Sequence, residues 1–165
     1  MTTVISHFSA LRAIRRARRA YSALPWGIID DRQQAQALAS CVPNKDAIDF
    51  VALAMLDAWS EDDSERLDLL VAGGNNRRPD GRLLQHSVTA PLPAEAIMHI
   101  EADIYATSPA MTAMLCSRNE PVAKVLMLLM ELLGSYSLPP EITNPIAHDD
   151  TWPKAGSSEA MDDLD

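Results

Sequence analysis

Lysine is nearly missing from this chain, and aromatic side chains are scarce. Of 165 residues only Lys45, Lys124 and Lys154 are lysines, and there are 2 Phe, 3 Tyr and 3 Trp. A core with so few rings has to be aliphatic, built from Leu, Ile, Val, Met and Ala. Hydrophobic residues nevertheless make up 47% of the chain, which excludes disorder throughout and suits one domain at this length. Cysteine is limited to Cys41 and Cys116, far apart and outside any CxxC pair. That pattern points to free thiols buried in a reducing compartment. Long apolar runs are missing too. The greasiest window, Val122 to Leu133, is too short to span a bilayer and contains Lys124 and Glu131. The N-terminus shows no apolar segment behind a basic start. A cytoplasmic location without membrane contact is therefore expected.

What charge there is lies unevenly. The net charge is −9, so the chain as a whole repels nucleic acid, and binding would need a local basic patch. One exists: Arg12, Arg15, Arg16, Arg18 and Arg19 fall within eight residues, while six acids lie between Asp149 and Asp165. On a helix, Arg12, Arg15, Arg16 and Arg19 form a stripe, and Arg18 falls among apolar residues, where it must snorkel or pair. Arg77 and Arg78 sit at the tip of a Gly/Asn/Pro-rich turn. These six residues of stripe and tip (Arg12, Arg15, Arg16, Arg19, Arg77, Arg78) are the candidate nucleic-acid contacts. The competing expectation is a stripe neutralised by the chain's own acids, in the Glu61–Glu65 segment or the C-terminal tail.

The pattern along the chain predicts an α+β domain. Ser6 is placed to cap a helix to about Tyr21, and Asp30 or Asp31 a second to about Cys41. A third is expected from about Asp46 to Trp59, with Ile48, Val51, Ala52, Met55 and Trp59 on one face. Leu67 to Val71 reads as a buried strand, and Arg82 to Thr89 as a strand pairing back on it. Met98 to Ala106 alternates as one half-buried strand. Ser108 followed by Pro109 starts a helix to about Arg118. The last helix, Glu120 to about Leu133, is apolar nearly all round and is expected at the centre of the core, with Gly134 closing it. The expected organisation is a helical region at 1–60 packed with an α/β core at 61–140, and a disordered acidic tail at 141–165. The sheet is expected to be small, mostly antiparallel and of about three strands.

Motifs that carry chemistry are absent. Gly73-Gly74 belongs to neither GxxxxGK[ST] nor GxGxxG. His7, His86, His99 and His148 show no HxxxH or HExxH spacing, so a metal site would need long-range contacts alone. There is no GxSxG elbow, and Ser108 is better used as a helix cap. Cys116 lies in an apolar helical pattern and reads as a core thiol. Asp68 lacks the following [DE]-x-Lys that magnesium-dependent nucleases of the PD-(D/E)xK kind require, so pairing with a nearby arginine is its expected role. No catalytic residue, metal ligand or cofactor is expected.

One order of pieces carries more. Leu67 to Val71, Arg77-Arg78, His86, Leu92-Pro93, Tyr105-Ala106-Thr107-Ser108-Pro109 and two following helices succeed one another as in a known bacterial group. In that order, and in Ser6 to Leu11 and Glu131 to Tyr136, residues 4 to 140 resemble an uncharacterised family related to type IV (AbiEi-like) antitoxins and very-short-patch-repair-like endonuclease proteins. Met111 stands where the antitoxins carry Arg, while Thr112 is kept. Members commonly continue into a restriction-endonuclease-like domain, and the resemblance covers only the non-catalytic front. It implies a non-enzymatic, defence-related or regulatory module that binds a protein partner, a toxin or nuclease subunit, or DNA through the arginine helix. The alternative is a stand-alone interaction protein, or a remnant of a larger nuclease-type protein with no activity of its own. An enzyme with a dispersed site is a third reading.

Overall fold

The computed structural model describes residues 2–21, 23–60, 66–73, 81–118 and 120–133. The expected α+β class holds, but the expected sheet of about three, mostly antiparallel strands does not. Among the described residues the sheet has six strands and is mixed. They are β1 (Thr3–Ile5), β2 (Gly27–Ile28), β3 (Leu67–Ala72), β4 (Leu83–Val88), β5 (Ile97–Glu101) and β6 (Ile104–Thr107), in the order β2-β5-β6-β1-β3-β4. Two ladders are parallel, β1 with β6 and β3 with β4.

Three local causes account for the difference. The region expected to be helical contributes β1 and β2 as well, which are too short to show a two-residue period. Yet β1 lies inside the sheet, with Val4 and Ile5 fully buried. The alternating run from Met98 is a hairpin rather than one strand. It turns at Ala102, which takes a positive φ of 43°. The strand after Arg82 pairs with β3 in parallel, not back along it, with Leu70 opposite His86. Burial of both faces of β3, from Leu67 to Val71, is the pattern of an interior parallel strand. The expected tip at Arg77-Arg78, the Glu61–Glu65 segment and the acidic tail lie outside the described residues.

The helices are α1 (His7–Ala20), α2 (Asp31–Ser40), α3 (Phe50–Met55), α4 (Pro109–Cys116) and α5 (Val122–Leu133). Asp30 caps α2 in a capping box with Gln33, and buried Gln34 ties this helix to the sheet by accepting from the Ile97 amide at 2.8 Å. The third helix is shorter than its pattern suggests. A 3₁₀ turn at Lys45–Ala47 precedes it, Asp49 caps it anew, and Asp57 at φ 59° follows its end. Val51 and Met55 therefore point outward. Ser108 caps α4 with Pro109 at its first position, and the Thr107 and Thr112 hydroxyls meet at 2.7 Å in the interior. Helix α4 packs on both α1 and α5, and α2 packs against β1 and β3. Among the described residues no helix is long and apolar enough to cross a membrane.

Candidate functional site

Asp68 sits on β3 and is 4% exposed, a costly place for a carboxylate without partners. Its partner is His86, whose Nε2 lies 2.7 Å from Oδ1. The parallel register explains the meeting. Asp68 faces Leu84 across the ladder, and His86, two residues further on, projects from the same face. His7, the first residue of α1, stacks on His86 with ring centroids 3.5 Å apart and planes 20° apart. The ligand atoms of His7, Asp68 and His86 all lie within 4.8 Å of one another.

The start of α1 is bound to this point of the sheet. The Ser6 amide donates to the Asp68 carbonyl at 3.0 Å, and the Asp68 amide donates to Ser9 Oγ at 3.0 Å. Ser6 and Ser9 are both fully buried. The Ser6 hydroxyl does not cap the helix, as its position suggests, but lies 3.0 Å from His7 Nδ1. His7 itself adopts φ 46°, a region that non-glycine residues enter at a cost. That backbone turn brings its ring over His86. Burial, His86 and Arg118 hold the His7 ring at about pKa 4, against an opposing pull from Asp68. His7 is thus neutral at neutral pH, the form that offers a nitrogen lone pair.

Sequence spacing could not find this group, because its members are separated by 61 and 18 residues along the chain. The expected partner of Asp68 was an arginine; the structure supplies a histidine. The sequence showed an acid on one strand and a histidine on the next, but the expected pairing back hid the parallel register that brings them together. Neither cysteine joins the group. Both are free and buried, and burial raises each thiol, Cys116 to about 12 with Asp68 adding to the effect.

The arginine stripe exists, but two of its four groups, Arg12 and Arg15, turn inward. Arg15 makes a two-pronged contact with buried Glu131 of α5, at 2.6 and 2.7 Å. Arg18 resolves its place among apolar residues by donating to the Glu131 and Leu132 carbonyls near the end of α5. Arg12 donates to the Ala58 carbonyl and Arg16 to that of Met55, while Arg19 is 3.9 Å from Asp57. Arg16 and Arg19 remain exposed. Among the described residues the partners of these arginines are Glu131, Asp57 and backbone carbonyls; the acidic segments expected from the sequence lie outside the described residues. Arg77 and Arg78 lie outside the described residues.

No protein-family model, curated protein or solved structure matches this chain.

Proposed function

We propose that this chain is a non-enzymatic regulatory module of the antitoxin-like or nuclease-accessory kind, working in the cytoplasm by binding a protein partner. The observation that carries the reading is the row Val122, Leu126, Met130 and Leu133 on α5. These side chains are 75, 55, 59 and 60% exposed. Their spacing of four, four and three residues places them on one face of the helix. Met114 of α4, which packs against α5, is exposed as well. The opposite face of α5, through Leu128, Glu131 and Leu132, enters the core. An aligned apolar row of this kind fits a partner that brings an apolar helix or groove of its own.

The DNA branch has less to draw on. Arg12, Arg15 and Arg18 hold α1 to neighbouring segments, and moving them to phosphate would break those contacts. Only Arg16 and Arg19 offer exposed guanidinium groups on this helix. Two phosphate contacts give a shallow salt dependence and weak binding.

Co-expression with the products of the genes flanking its own, followed by size-exclusion chromatography with light scattering, tests the reading. A stable complex is expected with the unaltered chain, and its loss with Leu126→Glu/Met130→Glu at unchanged circular dichroism. A double variant that binds as well as the unaltered chain would overturn the role of α5. So would duplex DNA binding with a steep salt slope and no protein complex.

A further inference from the structure

We propose that His7, Asp68 and His86 form a binding site for a divalent transition-metal ion of the zinc type. Two imidazoles and one carboxylate are a nitrogen-rich donor set, which suits Zn²⁺ and its first-row neighbours. Mg²⁺ and Ca²⁺ prefer oxygen ligands and find only one side chain of that kind here. Tetrahedral coordination at about 2.0–2.2 Å places ligand atoms roughly 3.3 Å apart. The present separations run from 2.7 Å between His86 and Asp68 up to at most 4.8 Å, and the stacked His7 and His86 rings have to rotate out of their parallel arrangement for both lone pairs to meet one ion.

The frame around the three residues is what such a site needs. The ligands come from three elements that cannot drift apart independently. The β3–β4 ladder fixes Asp68 relative to His86, and two hydrogen bonds fix the start of α1 to Asp68. Ser6 Oγ holds the His7 ring from Nδ1, the outer-shell contact by which ligating histidines are oriented. The strained backbone at His7 aims a ring into the group although a relaxed helix start would not. His86 keeps 27% of its side chain exposed, so an ion has a way in, and a coordination position remains for water or a partner's side chain. Among the described residues no fourth His, Cys, Asp or Glu joins the group. The ion would take the place of the hydrogen in the Asp68–His86 hydrogen bond. This site is separate from the apolar row on α5 and stands or falls without it.

The test is calorimetric titration of the EDTA-treated full chain with ZnCl₂ and with MgCl₂, alongside a Co²⁺ titration followed by visible absorption. Expected are a single Zn²⁺ per chain, no Mg²⁺ heat, and Co²⁺ ligand-field bands without a thiolate charge-transfer band. His7→Gln and His86→Gln are each expected to weaken Zn²⁺ binding by about 100-fold. His99→Gln, on β5 and outside the group, is expected to leave it unchanged. If either variant fails to fold, imidazole NMR of the unaltered chain decides: Zn²⁺ should shift the His7 and His86 rings and spare His99. The proposal is overturned if Zn²⁺ gives no heat and Co²⁺ no spectrum. It is equally overturned if folded variants bind as tightly as the unaltered chain, or if the shifted rings are others. The Asp68–His86 contact would then be a structural hydrogen bond alone.

Discussion

Glu131 shows how one residue can decide what a basic helix is for. It is buried, and Arg15 closes on it with two hydrogen bonds. Removing one member leaves an uncompensated charge in the interior, at about 3–5 kcal/mol. Arg15→Ala or Glu131→Ala is expected to lower stability by that amount in urea unfolding. Arg15→Met/Glu131→Leu together should recover most of it, a non-additivity that a double-mutant cycle reads directly. The histidine group gives a second expectation at this scale. His7 titrates near 4 in the folded chain and near 6.5 when unfolded. Between those values the unfolded state binds more protons, so stability rises with pH and is lost as pH falls from about 6.5 towards 4. Melting of EDTA-treated protein across that window should show the loss, and His7→Gln should flatten it; an unchanged slope would rule His7 out as its source. Neither the ion pair nor the histidine group was legible in the sequence. Arg15 meets Glu131 across 116 positions, and His7 meets His86 across 79, distances at which spacing carries no signal.

At the scale of elements, legibility followed length and capping. The capped helices α2 and α4 begin where Asp30 and Ser108 announce them, and β3 was visible as an apolar run. The β5–β6 hairpin was hidden for a physical reason. Ile97 opposite Thr107, Met98 opposite Ala106 and His99 opposite Tyr105 pair odd with odd and even with even positions. Alternation thus persists through the turn, and no Asn-Gly or Gly pair marks it. Ala102, at φ 43°, is the residue that suffers. Ala102→Gly is expected to stabilise the domain by about 1 kcal/mol in thermal or urea melts, since glycine adopts that backbone without penalty. The uniform greasiness of α5 concealed which side faces inward. Its two faces are expected to respond oppositely: Leu126→Glu should change stability by less than about 0.5 kcal/mol, whereas Leu132→Glu should prevent folding. Comparable losses from both would place α5 in the core after all.

For the molecule as a whole, the governing feature is the position of β1. Its three residues lie between β6 and β3, and both neighbours are more than sixty residues away in sequence. The front of the chain, expected as a helical region packed with the α/β core as one domain, also supplies an interior strand of the sheet. Deleting residues 1–5 is therefore expected to abolish cooperative unfolding and amide dispersion, rather than trim a loose end. A deletion variant that still melts cooperatively would show that the remaining strands suffice.

The same strand sets an order of events during synthesis. Thr3 to Ile5 leave the ribosome well before their neighbours Leu69 and Ile104 to Ala106 are translated. Until then a short apolar segment waits without a seat beside the arginine-rich helix that follows it. Helix α1 can form early from local contacts, but its start cannot dock until Asp68 has emerged. Nascent chains paused before residue 104 should consequently expose sticky surface and engage chaperones, and chains released after it should not.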